Sequence, residues 1–136
     1  MIRQRRNPYD EQKESMTAVH NFIPGDFLIF QLESGFALLR VLAVDENDGQ
    51  PVWHLAAYKD FFLDPEIADS ALENAASLSV EKPHVALTNH AFESTQVAKL
   101  RNVELLDNEL DAYNDWKSSE EREVHDRSIR LLLGLR

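Results

Sequence analysis

The chain contains no cysteine. That excludes a disulfide and any thiolate-ligated metal. Glycine is scarce as well, at Gly25, Gly35, Gly49 and Gly134 only. Phosphate-cradling loops and dinucleotide fingerprints need several glycines close together, and neither is present. A nucleophile elbow is also missing. The longest apolar stretch, Phe36 to Val44, is interrupted by Arg40. It falls far short of the ~20 residues a membrane helix needs, so no membrane association is expected. The start, Met1-Ile2-Arg3-Gln4-Arg5-Arg6, is basic but leads into no apolar run. A secretory signal is therefore not expected, and the cytoplasm is the expected compartment.

Positive charge is the remaining scarcity. Lysine and arginine number 14 against 24 aspartates and glutamates, for a net charge of −10. Arg3, Arg5, Arg6 and Lys13 against Asp10, Glu11 and Glu14 leave +1 on the first 14 residues and −11 on the rest. Such a body repels nucleic-acid phosphates, so DNA or RNA binding is not expected. Negative charge keeps a protein soluble, and it also steers encounter with a basic protein partner.

What is present suits one globular domain. The 136 residues, 43% of them apolar, are enough for a single core without staples. Residues 1–20 read as a polar arm, with a short helix between Asp10 and Val19, and residues 21–136 as one α+β domain. Pro24-Gly25 marks a turn. Phe27 to Leu32, Phe36 to Val44 and Val52 to Tyr58 read as three consecutive strands, joined by Glu33-Ser34-Gly35, where glycine would supply a positive φ, and by a turn containing Asp48-Gly49. The pattern predicts an antiparallel meander or a small, partly open barrel covered by helices, most of them C-terminal. Phe36, Leu38, Arg40, Leu42 and Val44 share one face of the second strand, and its other face is also apolar, so both should be covered.

Asp64-Pro65-Glu66 predicts a helix over Pro65–Ala76. A fourth strand follows at His84 to Leu87, at an edge because of Pro83, and Thr95 to Leu100 reads as strand or helix. Leu106, Leu110, Tyr113 and Trp116 predict an amphipathic helix after Asp107. Ser118-Ser119-Glu120-Glu121 fits a capping box that opens a last helix. That helix would carry Val124, Ser128, Leu131 and Leu135 on one stripe and end near Gly134.

Few residues stand out as sites. His20, His54, His84, His90 and His125 lack metal-ligand spacing, so neither a metal nor another cofactor is expected. Arg40 lies within an apolar strand, where a guanidinium needs an acidic partner and a rim position, or faces a ligand or partner. His54, on the neighbouring strand, would lie across from it. Trp53, Tyr58, Phe61 and Phe62 form an aromatic group suited to a core or to an interface. Arg40, His54, Trp53 and Tyr58 are the candidate binding residues; no catalytic residue is assigned.

The run Pro24-Gly25-Asp26-Phe27-Leu28-Ile29-Phe30, followed by Ser34-Gly35-Phe36-Ala37-Leu38-Leu39-Arg40-Val41-Leu42, resembles the opening of a family of bacterial immunity proteins from polymorphic toxin systems, the family numbered twenty-six. Arg101-Asn102-Val103-Glu104-Leu105 and Asp107-Asn108-Glu109-Leu110 are similar in placement to a later segment of that family. The resemblance implies a small antiparallel sheet or barrel with helices, no catalysis, and binding to a toxin domain; it assigns no site residue. The Gly-Asp opening also resembles small-barrel ribonuclease toxins, but this chain lacks their Arg-Pro pair and has the opposite charge. The expected function is a non-catalytic, acidic interaction protein of the immunity or inhibitor class. The alternatives are a small-molecule or peptide-binding regulatory module, and a hydrolase pairing His54 with a carboxylate such as Asp60 or Asp64.

Overall fold

A computed structural model describes residues 21–134. The expected arm over residues 1–20 and the stripe position Leu135 lie outside the described residues.

The three strands of the meander form, and two are longer than expected: β1 (Asp26–Leu32), β2 (Gly35–Asn47) and β3 (Gln50–Phe62). β2 and β3 extend because their loop is only Asp48-Gly49, both at positive φ, the two-residue reversal that matches strand twist. β4 (Val80–Thr88) and β5 (Ala98–Asn102) complete a five-stranded antiparallel sheet in the order β4-β3-β2-β1-β5. The segment after residue 95 is thus a strand, and the strand with Pro83 is an edge. The sheet is open, and the barrel alternative does not form: β4 and β5 lie at opposite edges. The edge at β4 is covered instead, where His125 exchanges backbone hydrogen bonds with Ala86 and Thr88.

Helices cover both faces. On one, α2 (Asn89–Thr95) and α4 (Ile129–Leu133) close a core of Leu28, Phe30, Leu39, Val41, Trp53, Leu55 and Leu87, with Phe92 and Ile129 fully buried. On the other, α1 (Pro65–Ala71) brings Ala68 against Phe27, Ile29, Leu38 and Tyr58, while α3 (Asp111–Ser118) brings Tyr113 against Leu42 and Ala56. The architecture is α+β, with the helices mostly C-terminal, as expected.

Several local expectations need correction. Asp64 caps α1 through the Ile67 amide at 2.8 Å, but the helix gives way to a 3-10 stretch at Leu72–Ser77. Asp107 opens only a 3-10 turn before α3. The capping box at Ser118 starts no helix. Ser119 turns back on Glu121, and the Trp116 indole N–H donates to the Glu123 carbonyl at 3.0 Å. The last helix is confined to Ile129–Leu133, so Leu131 is 69% exposed instead of buried on a stripe. Gly134 caps it at positive φ, as expected.

Two glycines have distinct reasons. Gly25 sits at φ +96°, a conformation that costs other residues dearly. Gly35 does not need positive φ. A Cβ there would come within 2.3 Å of the Phe61 ring, so close packing excludes any side chain.

One irregularity decides which side chains share a face. Val41 pairs with Leu55, but Ala43 pairs with His54. β2 therefore carries one extra residue at Leu42–Ala43, a β-bulge. A one-residue slip reverses side-chain orientation. Val44, expected beside Arg40, packs instead into the Trp53 core on the opposite face.

Candidate functional site

The expected site residues are divided between the two faces. Trp53 lies on the sealed face, fully buried, with its ring stacked on Phe92 at 4.1 Å and its indole N–H donating to Asn89 Oδ1 at 3.0 Å. Arg40, His54 and Tyr58 lie on the face beneath α1 and α3. The aromatic group of Trp53, Tyr58, Phe61 and Phe62 therefore does not assemble. Tyr58 packs on Phe27, and Phe61 is 45% exposed.

Arg40 is neither at a rim nor at an edge. It sits on the central strand and is 1% exposed. Nη1 donates to the Gly25 and Val103 carbonyls at 2.7 and 2.8 Å. Nη2 donates to the Glu104 carbonyl and Glu109 Oε1 at 3.3 and 3.1 Å, and Nε donates to Glu109 Oε2 at 3.2 Å. All five guanidinium N–H donors are engaged. Its plane lies 4.2 Å from the Phe27 ring centre. The side chain ties the Pro24-Gly25 turn, the chain leaving β5 and the entry to α3 to one point. Glu109, its acidic partner, also accepts from the Leu106 amide at 2.9 Å.

His54 is fully buried on β3 and lies opposite Ala43, not opposite Arg40 as expected, because Arg40 pairs with Ala56. Its Nδ1 is 3.0 Å from His84 Nε2, and its Nε2 is 2.8 Å from Asp45 Oδ2, outside aligned hydrogen-bond geometry. Tyr113 Oη donates to Asp45, 3.2 Å from both carboxylate oxygens. The rings of Tyr113 and Trp116 lie 4.6 and 4.7 Å from that of His54. Asp45 favours the proton on His54 Nε2, so His54 Nδ1 accepts from His84. Burial lowers the His54 pKa more than Asp45 raises it. Burial, helped by the charge of His54, lowers His84 to about 4. Both imidazoles are neutral at pH 7. His84 borders a cleft of about 250 Å³, together with Trp116, Glu123 and His125.

The hydrolase alternative named the wrong carboxylates. Asp60 accepts from the Ser79 amide at 2.6 Å, and Asp64 is the cap of α1. Asp45 is the carboxylate beside His54. Among the described residues, neither imidazole has a serine or threonine hydroxyl as a hydrogen-bond partner. None of the described residues form a group of three or more ligands able to hold a metal ion, and none of their helices is long and apolar enough to cross a membrane.

No family model, curated protein or solved structure matches the chain.

A second cleft, of about 360 Å³, opens between α3 and the sheet. Its floor is apolar, with Leu42, Ala56, Val80 and Pro83, and its wall carries Glu109, Asp111 and Asp115. Asp111 and Asp115 are one helical turn apart, so their like charges repel. Neither has an ion-pair partner among the described residues. Tyr58, only 8% exposed, also lines this cleft. Burial raises its pKa to about 12, keeping the phenol protonated. The sequence did not single out this wall. Its one legible sign was the i, i+4 spacing of Asp111 and Asp115 on a helix whose apolar residues face elsewhere.

Proposed function

We propose that the chain is a non-catalytic interaction protein that binds a basic protein domain, as an immunity or inhibitor protein does. The observation that carries this reading is the acidic cleft beside α3. It combines an apolar floor with carboxylates that have no cation of their own, the composition of a recognition surface for a basic protein. The net charge of −10 favours encounter with such a partner. The resemblance of the β1–β2 segment to immunity proteins points the same way. Two of the buried polar residues, Arg40 and His54, are directed at other parts of the same chain, in keeping with a structural duty.

Co-expression with any basic toxin domains encoded beside it tests the reading. The expected result is protection of the cell and a complex that weakens as salt rises, because exposed charges are screened beyond about 8–10 Å at physiological ionic strength. If the chain binds none of these domains and protects against none, the proposal is wrong.

A further inference from the structure

The acidic cleft is specific enough to name the group it takes. We propose that it is a socket for a single arginine side chain of the basic partner, with the Tyr58 hydroxyl as the acceptor at its base. This inference rests on the interaction reading above, and it assigns the cleft, not the whole surface, as the point of recognition.

Three observations converge on a guanidinium. The first is Tyr58. Its ring is held by Phe27 at 5.7 Å between centroids, yet its hydroxyl has no hydrogen-bond partner among the described residues. The residue is buried, but its oxygen is not sealed off: among the described residues His54 Nε2 is the sole buried side-chain polar atom without a partner, so the Tyr58 hydroxyl is left to whatever enters the cleft. The second is the pair of carboxylates. Asp111 and Asp115 repel each other across one turn of α3, and a cation between them would relieve that repulsion. Glu109 contributes less, because Arg40 and the Leu106 amide already occupy its oxygens. The third is the floor of Leu42, Ala56, Val80 and Pro83. Arginine combines an apolar stem with a planar head that is weakly hydrated and carries five donors, so it tolerates such a floor better than the compact, strongly hydrated ammonium of lysine. A cleft of about 360 Å³ lies at the lower end of ligand-site sizes, suited to one side chain and not to a larger cofactor.

The test uses the full chain, labelled with ¹⁵N and titrated at low ionic strength with N-acetyl-arginine amide and, separately, with its lysine counterpart. The amides of Tyr58 and of residues 111–115 are expected to shift saturably with the arginine probe, in the millimolar range of a single small ligand. The double variant Asp111→Asn/Asp115→Asn is expected to weaken binding at least tenfold. Tyr58→Phe, which keeps the ring on Phe27, is expected to weaken it by about three- to tenfold through loss of one hydrogen bond. The lysine probe should bind more weakly and be insensitive to Tyr58→Phe. Absence of saturable shifts at these residues, or equal shifts in the double variant, would overturn the socket. Equal binding of the lysine probe would overturn its preference for guanidinium. A basic toxin domain that binds the chain while the arginine probe leaves these amides unmoved removes the socket alone. An arginine probe that binds the cleft when no basic domain does removes the interaction reading alone.

Discussion

The two faces of one sheet have been given different work. The face beneath α2 and α4 is closed with apolar side chains: Trp53 stacks on Phe92, and Ile129 is fully buried against the same core. The face beneath α1 and α3 is built around polar groups, with Arg40 and its five acceptors, His54 between Asp45 and His84, and Tyr58 at the base of an acidic cleft. Both derive from the same strands, because successive residues of β3 alternate between them: Trp53, Leu55 and Ala57 go one way, and His54, Ala56 and Tyr58 the other. Apolar burial needs only the right volume, whereas a buried guanidinium or imidazole needs partners at fixed distances. The polar face is therefore the one where a single substitution should change both stability and specificity.

Breaking the sealed face should have the largest effect. Deleting residues 124–136 removes the bridge from His125 to β4 and the fully buried Ile129. Burial of that isoleucine alone contributes about 1.5–3 kcal/mol, against a total stability of about 5–15 kcal/mol. The truncated chain is expected to lose its cooperative thermal transition or to aggregate; a melt within a few degrees of the full chain would refute this.

Next in size is the clamp on the polar face. Arg40→Ala leaves Glu109 without its cation and the Val103 and Glu104 carbonyls without the guanidinium, while the Gly25 carbonyl keeps only the Val103 amide. A loss of about 3–5 kcal/mol is expected, read from the urea midpoint. A loss below about 1 kcal/mol, the range of exposed ion pairs, would mean that water replaces the guanidinium and that Arg40 is not the structural tie described.

The imidazole pair should have a smaller, pH-dependent effect. The His84 pKa falls on folding from its ordinary value of 6.5 to about 4, and that of His54 falls as well. Between those limits the unfolded chain holds more protons, so stability is complete above pH 6.5 and falls as the pH drops towards 4. His84 is partly exposed, so solvent screening reduces its share to about 1–2 kcal/mol. His84→Gln should flatten the stability profile between pH 7 and 4.5. An unchanged slope would show that the pair does not titrate as described.

Local chemistry was legible in the sequence. Pro24-Gly25, Asp48-Gly49 and Asp64-Pro65-Glu66 marked their turns and cap, and the alternation of apolar residues placed the three strands and their two covered faces. The bulge at Leu42–Ala43 was not legible, since neither residue marks one, and it carried Val44 across the sheet. The site also escaped, for a geometric reason. Asp45, His54, His84 and Tyr113 meet only when β2, β3, β4 and α3 come together, and spacing along the chain does not encode that. Arg40 was conspicuous as a charge in an apolar strand, but its acceptors lie 15 to 69 residues away. The chain after Trp116 was misread because Glu120-Glu121-Arg122-Glu123 offers no apolar face to bury, so a cap without a core to follow started no helix.

The claim that the polar face carries recognition is tested most directly by the double variant Asp111→Asn/Asp115→Asn, with its stability and its affinity for a basic toxin domain measured together. Removing two repelling charges from one turn of helix should leave the urea midpoint unchanged or raise it by a few tenths of a kcal/mol. Affinity should fall at least tenfold, and its dependence on salt should flatten. A variant that keeps its fold and binds the domain as tightly as the unaltered chain, with the same salt dependence, would contradict the account.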